Sequence, residues 1–186
     1  MVELQKIAPQ LNENNIALFA ISYDPVEVLA KFARKYNITF PLLSDQGSKV
    51  IRALRLLNEQ VQEQHAVFGI PANQKYYGVP YPGTFVLDEK GIVTEKRFHQ
   101  GYRNRDTGSG LLEAALGIAS REHGQEIISQ NEDVQVRAYL DSPTYAFNQI
   151  IHAVIEMNVA PGLHVYGEPI PEGYVPLSVR SSLWKD

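Results

Sequence analysis

The chain has 186 residues and no cysteine, so it can form no disulfide, no thiolate metal site and no cysteine nucleophile of its own. The chain also has no large excess of positive or negative charge. Seventeen Lys and Arg residues stand against 21 Asp and Glu, and a net charge of −4 excludes the basic surface typical of nucleic-acid-binding proteins. No apolar run approaches the ~20 residues of a membrane-spanning helix. Because the first residues also lack the apolar stretch of a secretory signal, we expect no membrane association and a cytoplasmic location.

What the chain does contain is an alternation of amphipathic helices and short apolar strands. Apolar side chains over residues 2–13 recur at helical spacing, and the nearly continuous apolar run over 16–23 indicates a strand buried on both faces. Asp24, followed by Pro25, is predicted to cap the start of a second helix, and Asn37 is predicted to end it in the left-handed conformation. A short strand over 38–43 contains a proline, which is typical of an edge position.

The next elements extend the same pattern. They are predicted as a helix capped by Ser44 or Asp45 and a stretch over 58–82 that is either a functional loop or an inserted segment. A β-hairpin follows, with strands 84–88 and 92–98 joined by the Asp88–Gly91 turn, and then a helix over 111–118. This order of helices and strands indicates an α/β layer fold.

After about residue 130 the pattern becomes rich in β-forming residues. Strands are predicted at 134–140, 147–157, 163–166 and 174–179. We therefore predict a first domain over 1–123, a linker over 124–133 and a partial β-sandwich segment over 134–186. A sheet with unfinished edges tends to pair with another chain, so we expect a homo-oligomer.

Four motifs in a fixed order lie within residues 2–117: Ala20-Ile21-Ser22-Tyr23-Asp24, Phe40-Pro41-Leu42-Leu43-Ser44-Asp45, Pro82-Gly83-Thr84-Phe85-Val86-Leu87-Asp88 and Gly91-Ile92-Val93. In this combination the chain resembles the alkyl hydroperoxide reductase/thiol-specific antioxidant family, the redoxins or peroxiredoxin-like proteins of the thioredoxin fold. The resemblance implies a thioredoxin-like three-layer sandwich. It also implies a thiol or selenol peroxidase or oxidoreductase that acts on a peroxide or a thiol/disulfide substrate, with no cofactor.

The resemblance points to one substrate-binding segment. In the family, the proline that corresponds to Pro82 faces the redox site and is commonly cis. Tyr81, Pro82, Gly83 and Thr84 are therefore the expected substrate-binding residues. The alternative is an ordinary turn that leads into a strand.

The family's nucleophile stands at the N-terminus of the first long helix, where the helix dipole stabilises a thiolate or selenolate. In this chain that helix directly follows Met1, and no cysteine is present. We therefore expect no catalytic residue and no activity from this polypeptide alone. We also expect that the central strand before the helix is missing, and that the recorded start lies downstream of a Cys or selenocysteine codon. A non-catalytic thioredoxin-like module that binds peptides is the alternative.

The rest of the chain contains a second resemblance and further candidate residues. The run Ala160-Pro161-Gly162-Leu163-His164-Val165-Tyr166, together with Gly173-Tyr174-Val175-Pro176, resembles the N-terminal sandwich domain of thiol:disulfide interchange proteins. Tyr102, Arg103, Arg105 and Asp106 suggest either an anion site or, with more support, a solvated loop. The five histidines have no metal-binding spacing, so no metal site is expected.

Overall fold

A computed structural model describes residues 1–99, 103–167, 169–170 and 172–180. The helices are α1 (Val2–Glu13), α2 (Val26–Tyr36), α3 (Lys49–Ala53), α4 (Val61–Val67) and α5 (Gly108–Leu116), with a 3-10 turn at Gln74–Tyr76. The strands are β1 (Ala20–Ser22), β2 (Leu42–Ser44), β3 (Gly83–Leu87), β4 (Val93–Phe98), β5 (Arg105–Asp106), β6 (Ile127–Gln130), β7 (Val134–Leu140), β8 (Gln149–Ile150) and β9 (Ala153–Val159). The mixture of helices and strands agrees with the predicted α/β class.

The main hydrophobic core lies between α1 and α5. Its buried members are Ile7 and Leu11 from α1 and Leu111 and Leu112 from α5. Burial of such a side chain contributes about 1.5–3 kcal/mol, so this contact is a major source of stability. The helices approach closely because Gly108 has no side chain: a Cβ there would lie 2.9 Å from Cγ2 of Ile7.

The strands of the first half form two separate sheets. β1 pairs in parallel with β2, and β3 pairs antiparallel with β4. Within the described residues, β1 and β3 do not share a sheet. Large apolar side chains on these strands are consequently exposed, including Ile21 at 42% and Leu87 at 54%.

The second half contains a three-stranded antiparallel sheet in the order β6-β7-β9. β7 is paired along its whole length with β9, from Val134 opposite Val159 to Leu140 opposite Ala153. β5 pairs in parallel with β8 and so connects the segment before α5 to the segment before β9. The predicted linker over 124–133 contains β6, while the division into domains stays a prediction.

Some local predictions are confirmed and others are wrong. α1 has the predicted bounds, and Asn37 ends α2 in the left-handed conformation, with φ at 51°. Asp24 does not cap α2. Its carboxylate accepts a hydrogen bond from Ser22 Oγ instead, and Pro25 occupies the cap position.

The C-terminal segments differ from the prediction, whereas the stretch 58–82, predicted as a functional loop or an inserted segment, contains α4 and the 3-10 turn. The predicted strands 163–166 and 174–179 are irregular in the structure, although the N–H of Leu177 donates a hydrogen bond to the Tyr166 carbonyl at 2.8 Å. No helix of the described residues combines the length and the apolar character needed to cross a bilayer.

Candidate functional site

The segment Tyr81–Thr84 is held by backbone pairing with the chain that follows α3. The N–H of Tyr81 donates to the Leu56 carbonyl at 2.7 Å, and the N–H of Asn58 donates to the Val79 carbonyl at 2.9 Å. This short antiparallel contact sets the direction in which the chain runs through Pro82 into β3. Tyr81, Pro82 and Thr84 are half-buried, and Gly83 is exposed.

Gly83 lies opposite Phe98 in the β3–β4 hairpin. A Cβ at position 83 would overlap the Phe98 ring, so any larger residue here forces that ring to move. The Phe98 ring also packs against Phe85, with ring centroids 5.1 Å apart. The start of β3, which belongs to the predicted substrate-binding segment, therefore lies against an aromatic pair.

The carboxyl ends of β1 and β2 form a polar cluster. Ser22 Oγ donates to Asp24 Oδ2 at 2.6 Å, and Ser44 Oγ donates to the Asp24 carbonyl at 2.7 Å. Ligands of open α/β sheets bind beyond the carboxyl ends of the strands, which is where this cluster lies. Its hydroxyl donors are already used within the chain, so we assign it a structural role.

Asp45 follows β2 and stabilises the first turn of α3. Its carboxylate accepts hydrogen bonds from the N–H groups of Val50 at 3.1 Å and Ile51 at 2.9 Å. Burial by itself raises the pKa of Asp45, but hydrogen bonds from the backbone of Ile51, Val50 and Lys49 outweigh it and hold the pKa below its usual value. The predicted capping role of Asp45 is thus confirmed, although the position that directly precedes the helix is Ser48.

The loop before Tyr81 is attached to Ser48, the residue that precedes α3, and passes close to Tyr23. Ser48 Oγ donates to the Gly78 carbonyl at 2.8 Å, and a Cβ at position 78 would lie 3.6 Å from the Tyr23 ring. Burial, with the negative charge of Asp24 nearby, raises the pKa of Tyr23 and keeps its hydroxyl protonated at neutral pH. The sequence prediction missed Ser48 and Phe98, and only the glycine- and tyrosine-rich composition near Gly78 indicated a special loop.

The N-terminus of α1 lies among charges of both signs. No side chain caps this helix, and the Met1 amino group is partly buried. Burial and, after it, the positive charge of Arg105 lower the pKa of that amino group, while the negative charge of Glu3 in the first turn acts in the opposite direction. The uncapped N–H groups of a helix N-terminus favour a nearby negative charge, which a reactive thiolate requires.

The other candidate residues have contacts inside the protein. Asp106 accepts a hydrogen bond from Arg97 Nε at 3.3 Å and lies 3.0 Å from His99 Nε2. The Arg103 guanidinium stacks over the Phe68 ring at 4.4 Å. These contacts favour structural roles over an anion site; Tyr102 lies outside the described residues. Among the described residues, no three His, Asp or Glu side chains are placed to hold a metal ion.

Comparison with known proteins decides the family. Residues 1–96 match the model of the AhpC/TSA family, and this segment is more than half of the chain. The chain belongs to the AhpC/TSA family. The family match includes β1, β2, the Tyr81–Thr84 segment and β3, and it ends within β4.

Two relatives of this AhpC/TSA chain carry redox names. It is 30% identical over 89 residues to a Coxiella burnetii protein named peroxiredoxin bcp, a match that covers 46% of this chain and 50% of the relative. It is 25% identical over 97 residues to the thiol-disulfide oxidoreductase ResA of Bacillus cereus, covering 52% of this chain and 43% of the relative. The chain thus spans about half the length of the curated relatives it matches. No solved structure is significantly similar to it.

Proposed function

We propose that this chain is the scaffold of a redoxin-type thiol or selenol oxidoreductase, with a peroxide or a thiol/disulfide as its substrate. The AhpC/TSA match over residues 1–96 carries the proposal. The names of the two relatives, a peroxiredoxin and a thiol-disulfide oxidoreductase, support the same reaction class. In this proposal Tyr81, Pro82, Gly83 and Thr84 line the substrate groove.

The chemistry needs a nucleophile that residues 1–186 do not contain. A thiolate or selenolate attacks one oxygen of the peroxide, the O–O bond breaks, and an alcohol or water leaves as the nucleophile becomes a sulfenic or selenenic acid. A second thiol then attacks this acid and releases water, and thiol–disulfide exchange restores the reduced form. We propose that the chalcogen lies at the N-terminus of α1, where the helix dipole and the uncapped N–H groups favour the anion.

The same proposal accounts for the split sheet. β1 and β3 belong to different sheets and expose apolar side chains, as expected for two strands that flank the place of a further strand. We propose that this strand and the nucleophile are contributed together by sequence upstream of Met1. An upstream coding sequence without an in-frame strand ending in a Cys or TGA codon would contradict this part of the proposal.

A peroxide-consumption assay with a thiol reductant tests the activity. The 186-residue polypeptide is expected to consume no peroxide above background, whereas a polypeptide extended upstream is expected to be active. Replacement of the added Cys or selenocysteine by Ser provides the matched control and should remove the activity. If the extended protein is inert and instead binds extended peptides, the function is that of a non-catalytic thioredoxin-like binding module.

Self-association is a separate proposal. β6 and β9 are the outer strands of the second sheet, and Ile127 and Ile128 on β6 are exposed at 70% and 57%. Exposed apolar strand edges favour pairing with another chain. Sedimentation at micromolar concentration is expected to show a homo-oligomer, and a monomer would refute the proposal.

A further inference from the structure

One face of the second sheet is aliphatic and is left accessible. The strand register places Ala138 of β7 opposite Ile127 of β6 and opposite Ile155 of β9. Val136 of β7 and Met157 of β9 form the next pair on the same face. Because paired residues of neighbouring strands point to one side of a sheet, these side chains share a surface. None of them is buried, and Ile127 and Ile155 are 70% and 42% exposed.

The outer edge of β6 lacks the usual protection of an edge strand. The four residues of β6, Ile127–Gln130, are all exposed and pair with β7 on one side; on the other side no strand of the described residues adjoins them. Edge strands are commonly protected by charged residues or proline, and β6 contains neither. β9, the other outer strand, contains Glu156. β6 is therefore the edge more open to a further strand.

The segment Tyr174–Arg180 has the properties of such a strand. Val175, Leu177 and Val179 occupy alternate positions, and their side chains are 83%, 48% and 48% exposed. In an extended chain these three side chains point to one side. Their N–H groups also point to one edge, so Pro176 directs its backbone to the opposite edge. Its missing N–H would then cost no hydrogen bond to the neighbouring strand.

We infer that the segment Tyr174–Arg180 of one copy pairs with the outer edge of β6 in a second copy. Val175 and Leu177 then extend the aliphatic face beyond Ile127, and the β6 backbone gains a partner. The inference rests on the self-association proposed above and names its interface. Exchange in both directions closes a dimer, whereas exchange in one direction leaves one edge and one segment unused.

Charge favours a parallel arrangement of the two strands. When Leu177 lies level with Ser129, Arg180 comes level with Glu132 in the exposed acidic turn that follows β6. An antiparallel arrangement would bring Arg180 to Glu126 instead, and that carboxylate is already paired with an arginine of β7. Opposite charges at the rim of an interface guide its register.

The exchange replaces one backbone hydrogen bond of the single chain. The N–H of Leu177 donates to the Tyr166 carbonyl at 2.8 Å, and pairing with β6 redirects this donor. In return, Val175 and Val179 also point their backbone groups at β6. The second copy thus supplies more backbone pairing than the irregular segment has within its own chain.

Sedimentation of the full chain tests the inference with a matched pair of variants. Leu177→Asp should raise the dimer dissociation constant more than tenfold, because a charge replaces an apolar side chain that the contact buries. Ser178→Asp adds the same charge to the neighbouring exposed residue, whose side chain points to the other face. It is the control and should change the constant less than threefold. Circular dichroism should be the same for all three proteins.

Charge reversal tests the direction of the strands. Arg180→Glu should weaken association about two- to fivefold, the effect of an exposed ion pair. Adding Glu132→Lys to Arg180→Glu should restore it. A double variant as weak as the sum of the two single changes would refute the parallel register.

A peptide with the sequence of Gly173–Arg180 tests the acceptor edge directly. Labelled at its N-terminus, it should bind saturably to the full-length Leu177→Asp chain in fluorescence anisotropy, and the same peptide with Leu177→Asp should not bind. Association that is unchanged in Leu177→Asp, or a peptide that does not bind, overturns this inference and leaves self-association intact. A monomeric wild type refutes both.

Discussion

The two sheet regions of this protein differ in how completely their strands are paired. In the first region, β1–β2 and β3–β4 are separate two-stranded units, and β1 and β2 have only three residues each. In the second region, β7 has partners on both sides, and its pairing with β9 runs without interruption over seven residues. The family match covers the less completely paired region.

This difference shows that the region with recognisable family motifs need not be the region whose strands are most completely paired. The family motifs of the first region encode the ends of strands and the segment around Pro82, which are the parts next to a reactive centre. The second region lies outside the family match, yet its middle strand β7 pairs with β9 along its whole length and with β6 over four residues. Substitutions in the two regions, and in the helices between them, should therefore have different consequences.

The largest effect is expected in the helical core that connects the regions. Leu112 is 0% exposed between α1 and α5. Leu112→Ala should lower the free energy of unfolding by about 2–5 kcal/mol, because it removes buried methyl groups and leaves a cavity. Urea unfolding followed by circular dichroism measures the loss. Leu54 is 51% exposed, so Leu54→Ala is the control and should change the free energy of unfolding by less than about 0.5 kcal/mol.

The next effect is expected in the hairpin of the first region. Gly83→Ala places a methyl group against the Phe98 ring and should destabilise the fold by about 1–3 kcal/mol. Phe98→Leu alone serves as the control for loss of the ring, and the Gly83→Ala/Phe98→Leu double variant should recover part of the stability. Additive losses in this double-mutant cycle would show that the two positions do not interact.

A smaller effect, dependent on pH, is expected at Asp45. The pKa of Asp45 is lower in the folded protein than in the unfolded chain, where it is about 3.9. Its stabilising contribution is therefore complete above the unfolded pKa and is lost as the pH falls through the folded pKa. In Asp45→Asn, the urea midpoint should be lower than that of the wild type at neutral pH and should depend less on pH under acidic conditions. Parallel pH profiles for the two proteins would contradict the assignment.

The smallest effect is expected at a surface ion pair. Arg121 donates to both carboxylate oxygens of Glu13, and both side chains are largely exposed. Glu13→Gln should leave the thermal midpoint almost unchanged, since exposed pairs are screened by water and salt. Measurement at low and high salt provides the check. If Glu13→Gln clearly lowers the thermal midpoint at low salt but not at high salt, the pair contributes more to stability than its exposure suggests.

The sequence predicted the elements whose signals are local. Helical spacing predicted α1, and the Asp88–Gly91 turn predicted the β3–β4 hairpin. Asn37 ends α2 as expected. α4 was missed because only Val61 of that short helix is buried, so its apolar periodicity is weak. β6 was missed because its apolar side chains are exposed and its identity as a strand depends on pairing with β7.

The site could be predicted only in part. The resemblance located Tyr81–Thr84, but the contact of Gly83 with Phe98 depends on a hairpin register that shifts between Val86 and Leu87. The grouping of Glu113, Asp141 and His152 had no sequence signal at all. Glu113 lies on α5, Asp141 follows β7 and His152 precedes β9, so only the folded chain brings them together around one cavity.

The contact between α1 and α5 has a practical consequence for dissecting the protein. α1 belongs to the segment that matches the family, whereas α5 begins twelve residues after that match ends. A fragment cut at the boundary of the match would expose the apolar face of α1 to solvent and would be prone to precipitate. Fragments intended for crystallisation or spectroscopy should therefore retain the helix that ends at Leu116.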